Sequence, residues 1–118
     1  MTWIDVCPLA ALLPERGVAA LVDGQQVALF RLADDCVVAV QNRDPFSGAN
    51  VISRGIVGTV GDLPTVTSPM HKQVWELRTG SCRDDAGKAS HDDGPDLRTW
   101  RVLVTDGRVL VAAGPTAT

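Results

Sequence analysis

Four positions in two loops come nearest to a metal site. They are Asp44 and Phe46 in the first loop, residues 42–48, and Ser68 and His71 in the second loop, residues 68–73. A carboxylate and a hydroxyl are hard donors, a single imidazole is a borderline one, and a phenyl ring donates nothing. An iron-sulfur cluster needs soft, deprotonated ligands, so we expect that this set cannot assemble one.

The roles of these side chains have alternatives. We interpret His71 as a loop histidine held by a hydrogen bond. It could instead be a residual metal ligand, or could form a hydrogen-bonded cluster with Asp44 and Ser68 where a metal would have joined the loops. Phe46 is interpreted as an apolar plug, with surface docking as the alternative. These two interpretations make opposite demands on the burial of the ring.

Other reactive residue types occur without the partners that catalysis needs. His91 stands beside Asp92 and Asp93 in a polar stretch, where solvated residues are the expected arrangement and a casual metal site is the alternative. The thiols are odd in number, show no paired spacing and have no recognisable base nearby, which predicts reduced, unreactive side chains. They are Cys7, Cys36 and Cys82. No complete catalytic constellation is present.

The loops must be positioned by strands. Apolar, β-branched runs separated by turn residues predict an all-β chain of about nine short antiparallel strands. The runs are residues 3–6, 18–22, 27–32, 36–41, two between 56 and 68, 73–77, 97–105 and 108–112. Strands 18–22, 27–32 and 36–41 should form a meander that leads into the first loop. The tryptophans fall mostly on strands and are predicted to be core, with at most one as an interface anchor.

Turn signals and composition predict the connections. Asp-Gly pairs at 23–24 and 106–107 are typical of tight hairpins. Residues 7–14 are apolar but closed in by prolines, which predicts a helical turn at most. Residues 81–96 are rich in Asp, Gly and Ser and should form a solvated, mobile loop. Residues 113–118 are expected to be a flexible tail.

Length and charge exclude several classes of protein. The chain has 118 residues and a net charge of -3, with no cluster of Lys or Arg. It is predicted to be one domain, 1–118, without a basic surface for nucleic acid. We find neither a signal peptide pattern nor an apolar stretch of membrane-spanning length, and expect a cytoplasmic protein with no membrane partner.

The frame around the two loops resembles the Rieske fold. A Rieske domain holds its cluster with C-x-H on one loop and C-x-x-H on the other. Here Pro45 and Pro69 follow the two positions of the cysteines, and Gly48 closes the first loop. The four ligand positions are those listed above, and only His71 matches a ligand. The resemblance therefore implies a Rieske-like sandwich of short strands without its cluster.

The replacements themselves resemble one branch of this fold. Asp-Pro-Phe and Ser-Pro-x-x-Lys-Gln are similar to the signature of the small subunit of assimilatory NAD(P)H-dependent nitrite reductase, where an aromatic residue is equally familiar at position 71. The matching segments are residues 42–49, 53–58, 68–73 and 77–80.

The resemblance implies an accessory, non-redox subunit of an oxidoreductase in nitrate assimilation. A large subunit would carry FAD, an iron-sulfur cluster and sirohaem and would reduce nitrite to ammonium, while this chain holds no cofactor. Docking on that partner would use the loops, with four candidate contacts: Phe46, Met70, His71 and Lys72. The alternatives are an independent Rieske-type electron carrier and a generic β binding module.

Overall fold

The computed structural model describes residues 2–116, which form eleven short strands and two 3₁₀ helices. None of the helices in this range has the length and apolarity that a membrane crossing requires. The 3₁₀ helices are Leu9–Ala11 and Ile52–Arg54. The strands are β1 (Trp3–Pro8), β2 (Gly17–Val22), β3 (Gln25–Arg31), β4 (Val37–Gln41), β5 (Ile56–Val60), β6 (Leu63–Thr67), β7 (Val74–Glu76), β8 (Cys82–Asp84), β9 (Thr99–Trp100), β10 (Val102–Thr105) and β11 (Arg108–Ala112).

The strands make three antiparallel sheets. The terminal sheet has the order β1-β11-β10, the central sheet β2-β3-β4-β9, and the loop sheet β5-β6-β7-β8. The predicted all-β class is confirmed, and so is the meander of β2, β3 and β4 that leads into the first loop.

The central sheet is buried on both faces. Along β3, Ala28 and Phe30 face the loop core, which also contains Ile52, Trp75 and Leu77. The alternate residues face the terminal core on the other side of the sheet, together with residues of β11; they are Val27, Leu29, Val109 and Val111. Because successive side chains point to opposite faces, a strand covered on both sides reads as a continuous apolar run. We propose that residues 1–118 form one domain, since this sheet takes part in both cores.

Both predicted Asp-Gly hairpins are confirmed. Asp23 and Gly24 have φ of 49° and 80°, and Asp106 and Gly107 have φ of 51° and 72°. Positive φ at both central residues is the geometry of a type I′ turn, whose twist matches that of the flanking strands. These turns join β2 to β3 and β10 to β11.

Two segments differ from the sequence-based expectation. Residues 97–105 were predicted as one strand, but the chain is interrupted at Arg101, with β9 in the central sheet and β10 in the terminal sheet. The break lets one segment serve two sheets and keeps Trp100 and Val102 against the same core. In the predicted loop 81–96, β8 pairs with β7 through Trp75 and Cys82. These additions bring the described strands to eleven rather than about nine.

Backbone hydrogen bonds hold both ends of the described chain. Ala113 N–H donates to the Thr2 carbonyl oxygen at 3.0 Å, and Thr116 N–H donates to the Thr99 carbonyl oxygen at 2.6 Å. The predicted flexible tail, 113–118, is thus described only to Thr116, and its last two residues lie outside the described range. Its flexibility stays a prediction.

Two buried glutamines differ in how their amides are satisfied. Gln41 Nε2 donates to the Arg43 carbonyl oxygen, and Gln41 Oε1 accepts from Arg98 N–H, both at 2.8 Å. Gln73 is fully buried, and neither its Nε2 nor its Oε1 has a hydrogen-bond partner among residues 2–116. A buried polar group without a partner costs about 1–3 kcal/mol.

Gln73→Met should therefore leave the free energy of unfolding unchanged or raise it by about 1 kcal/mol, because methionine fills a similar volume without the amide. Gln41→Met is the matched control and should lower it by about 0.5–1.5 kcal/mol, since it removes the hydrogen-bond partner of two part-buried backbone groups. Urea unfolding of the two variants measures both values. Destabilisation by Gln73→Met equal to that of the control would contradict the prediction.

Candidate functional site

Asp44 organises the first loop. Its Oδ1 accepts hydrogen bonds from Phe46 N–H at 2.8 Å and from Ser47 N–H at 3.3 Å. Its backbone N–H donates to the Ala49 carbonyl oxygen, and its carbonyl oxygen accepts from Gly48 N–H, both at 2.8 Å. An Asp side chain that caps the following backbone N–H groups favours such a turn. The loop therefore has a fixed shape around one buried carboxylate.

Ser68 organises the second loop in a similar way. Its hydroxyl oxygen accepts from Met70 N–H at 3.1 Å, and its backbone N–H donates to the Gln73 carbonyl oxygen at 2.8 Å. Lys72 has φ of 65°, a left-handed conformation that glycine adopts more readily. The turn closes between β6 and β7 and places residues 69–72 at the surface.

The two loops are joined by a hydrogen bond between buried side chains. Ser68 Oγ donates to Asp44 Oδ2 at 2.7 Å. Beside this pair the ring of Phe46 is 4% exposed and packs at a tilt of 53° against Trp75, with ring centroids 6.0 Å apart. The burial of the ring agrees with the plug interpretation of Phe46 rather than with the surface-docking alternative.

His71 does not join the buried pair. Its side chain is exposed, and within residues 2–116 it makes no hydrogen bond. The three-residue cluster suggested by the sequence is therefore right for Asp44 and Ser68 and wrong for His71. The interpretation of His71 as a histidine held by a hydrogen bond is wrong as well. Met70, 48% exposed, and Lys72 share the surface with it.

The four positions do not fit a [2Fe-2S] cluster. The two positions that would supply thiolates carry a hydroxyl and a carboxylate, and these two groups are hydrogen-bonded to each other. The third is a buried phenyl ring, which leaves one imidazole as the single donor of a suitable type. No group of three or more metal-ligating side chains is found among the described residues. No electron-transfer step can be derived through this site.

A third segment, residues 91–95, covers the first loop. His91 N–H donates to the Pro45 carbonyl oxygen at 2.7 Å, and Trp75 Nε1–H donates to the Pro95 carbonyl oxygen at 2.7 Å. Both guanidinium bonds from Arg43 to the Asp92 carboxylate are 3.0 Å long. These hydrogen bonds lower the pKa of Asp92. Sequence reasoning missed this segment; the Gly94-Pro95 pair was a signal of a fixed turn inside the polar stretch.

The space beside this segment does not single out a ligand. A groove of about 800 Å³ lies between the first loop and residues 91–96. Its lining brings two arginines, Arg43 and Arg98, against three aspartates. Because Arg43 is already paired with Asp92 and the charges are mixed, the groove favours neither an anion nor a cation.

Burial makes two of the three thiols less reactive. All three cysteines are free and half-buried. Burial is the main cause that raises the pKa of Cys7 and of Cys82, which disfavours the reactive thiolate. The half-buried Cys36 has its Sγ 3.7 Å from Nη1 of the exposed Arg78.

Comparison with known proteins agrees with this geometry. The model of the Rieske-like [2Fe-2S] domain family matches residues 2–112. The NADH nitrite reductase small subunit of Escherichia coli K12 is 42% identical over 84 residues, which are 70% of this chain and 78% of that one. The crystal structure of a candidate NADH-dependent nitrite reductase small subunit from Mycobacterium tuberculosis is 44% identical, with a TM-score of 0.83, and the match covers 99% of this chain and 96% of that chain.

A longer relative contains a similar segment. The NAD(P)H nitrite reductase large subunit of Klebsiella oxytoca is 39% identical over 109 residues, which are 92% of this chain. This chain spans only 11% of that protein's length. The matches to small subunits, by contrast, extend over most of both chains. The chain therefore belongs to the Rieske-like [2Fe-2S] domain family and, within it, to the small subunits of NAD(P)H-dependent nitrite reductase.

Proposed function

We propose that this chain is the accessory subunit of an assimilatory NAD(P)H-dependent nitrite reductase and binds the large subunit of that enzyme. The observation that carries the proposal is its 44% identity to a candidate small subunit over nearly the whole of both chains. The large subunit would supply FAD, an iron-sulfur cluster and sirohaem and would reduce nitrite to ammonium. A cytoplasmic location fits the three free thiols.

The chain's own residues bind a partner and transfer no electrons. The tip, formed by residues 43–49 and 68–73, is the surface that we assign to docking. It offers an exposed apolar side chain, Met70, next to an exposed cation, Lys72. The Asp44–Ser68 hydrogen bond already holds the tip in one conformation in the free chain. Binding of the partner therefore costs little further conformational entropy in the tip. His71 adds an exposed imidazole to the same surface.

The relative from Klebsiella supports the choice of partner. There a segment similar to nearly the whole of this chain is part of the large-subunit polypeptide itself. A domain that is fused to a protein in one organism and separate in another is expected to bind the same protein in both. The independent electron carrier has no comparable support, because the donor set does not fit a cluster.

The direct test is a pull-down of the tagged chain from its own cells grown on nitrate, followed by iron analysis and visible spectra of the isolated chain and of its complex. We expect an iron-free, colourless chain that retains a coloured flavoprotein active with nitrite. Stoichiometric iron in the isolated chain would sink the accessory-subunit proposal in favour of the electron carrier. Failure to retain the large subunit would remove the proposed partner.

The rigidity of the tip leads to a prediction for Ser68→Ala. Removing the hydroxyl leaves the buried Asp44 carboxylate without one of its donors, so the free energy of unfolding should fall by about 1.5–3 kcal/mol. Ser81→Ala is the control, because within the described chain the Ser81 hydroxyl makes no hydrogen bond. Denaturant unfolding measures both variants. Equal, small effects would show that the hydrogen bond does not stabilise the tip.

Two substitutions of Lys72 distinguish the effect of its charge on binding from the effect of its backbone strain on stability. Lys72→Ala and Lys72→Gly both remove the charge and should weaken binding to the large subunit by a similar factor, about threefold to tenfold. Only the glycine variant relieves the positive φ, so it should unfold with about 1 kcal/mol more free energy than the alanine variant.

The control for charge is Lys88→Ala, which removes an exposed lysine from the polar loop. Binding can be measured by biolayer interferometry with immobilised large subunit. Unchanged affinity of both Lys72 variants would exclude this residue from the interface.

A further inference from the structure

The terminal sheet has an outer face that the described chain covers only in part. Its inner face is lined by Val109 and Val111, which are fully buried in the terminal core. The alternate residues of β11, Arg108, Leu110 and Ala112, therefore point outward. They form the middle of a face that also takes in side chains from β1 and β10.

The strand register places three large apolar side chains on this face. Trp3 pairs with Ala112, and Leu110 lies between Asp5 and Leu103. Trp3 is 37% exposed and Leu103 is 42% exposed, while Leu110 is half-buried. Directly opposed residues share a face of the sheet. We call Trp3, Leu103 and Leu110 the terminal-sheet patch; Ala112, beside Trp3, is buried at 4% exposure.

The patch has a charged edge. Asp5 and Arg108 form an ion pair across β1 and β11, with Arg108 Nη2 2.8 Å from Asp5 Oδ1. The charges on this edge thus neutralise each other and leave the apolar side chains as the main feature. An apolar centre with a polar rim is the composition of a surface that binds another protein.

The N-terminal end of the described chain lies beside this patch, whereas its C-terminal end reaches β9, where Thr116 N–H donates to the Thr99 carbonyl oxygen at 2.6 Å. Ala113 N–H donates to the Thr2 carbonyl oxygen at 3.0 Å, directly after the pair of Trp3 and Ala112. A polypeptide attached ahead of Thr2 therefore departs from the Trp3 corner of the terminal sheet, and one attached after Thr116 departs from beside Thr99, four residues beyond Ala112.

The fused relative shows that a large subunit can be attached at an end of this domain. In the Klebsiella protein, the similar segment covers 92% of this chain but only 11% of the large subunit. The rest of that long polypeptide is thus attached at or near one or both ends of the segment. A covalent connection raises the effective concentration of one part at the other and, through the N-terminal end of the segment, favours contact through the faces nearest Trp3.

We infer that the terminal-sheet patch is a docking surface for the large subunit of nitrite reductase, separate from the tip and seated on the part of that subunit next to the attachment point in the fused relative. The inference rests on the proposed function, because it takes the large subunit as the partner. It adds a second contact surface on a different sheet from the one that carries the second loop.

The test compares two exposed leucines with the same substitution. Leu103→Asp places a charge in the patch, and Leu21→Asp places one on β2 of the central sheet, where Leu21 is 69% exposed. Each variant chain is mixed with the purified large subunit, and affinity is measured by biolayer interferometry. We expect Leu103→Asp to weaken binding about tenfold or more, since an aspartate in an apolar interface is desolvated without a partner. Leu21→Asp should stay within about twofold of the wild type.

The outcomes separate the two proposals. If the wild-type chain does not bind the large subunit, the proposed function fails and this inference fails with it. If the wild type binds and Leu103→Asp binds equally well, or if both leucine variants lose affinity alike, only the terminal-sheet inference is overturned.

A measurement on the unmodified chain guards against misfolding of the variant. β10 is an edge strand, so its outward backbone N–H groups exchange with solvent in the free chain. Hydrogen–deuterium exchange should show slower exchange of a peptide covering residues 102–110 in the complex than in the free chain. Identical exchange of that peptide in both states would also overturn the inference.

Discussion

The hydrogen bond between Ser68 and the Asp44 carboxylate is the constraint on which the loop end of the molecule depends. In a Rieske domain, thiolates and imidazoles from two loops converge on metal, and the metal bonds hold the loops together. Here one charge-assisted hydrogen bond of 2.7 Å joins Asp44 and Ser68, the two positions that carry the thiolates in a Rieske domain. It can do so because the carboxylate is fully buried, where water does not compete, and because its other oxygen accepts from backbone N–H groups.

One hydrogen bond is far weaker than a set of metal–ligand bonds, and packing supplies the rest. The turn capped by Asp44 directs Phe46 inward against Trp75, so that apolar contact fills the space beside the polar pair. Residues 91–95 then cover the first loop from outside. Trp75 takes part in both layers, since its ring packs against Phe46 and its Nε1–H bonds to Pro95. The loops are thus held by three interlocking contacts where a cluster-bearing relative has one metal centre.

This arrangement separates the shape of a redox protein from its chemistry. The sheets that support the loops are kept, and residues 2–112 match the family model throughout. The donor atoms have been exchanged for groups that satisfy one another. What remains for function is surface, at the tip and on the terminal sheet. The second loop lies between strands of the loop sheet and the patch lies on the terminal sheet, so a partner that touched both would contact two of the three sheets.

The sequence by itself determined the all-β class, the meander into the first loop, both Asp-Gly hairpins and the lack of cluster ligands. Each of these follows from local chemistry: alternation and β-branched runs, Asp-Gly pairs that adopt positive φ, and donor types that do not depend on folding. The loop motifs were also enough to identify the family. Only the tertiary structure decided that His71 stands apart from Asp44 and Ser68, that β9 and β10 serve different sheets, and that residues 91–95 cover the first loop. Those features depend on contacts between residues far apart in the chain, such as Arg43 with Asp92 and Trp75 with Pro95, which leave no periodic or local signal in the sequence.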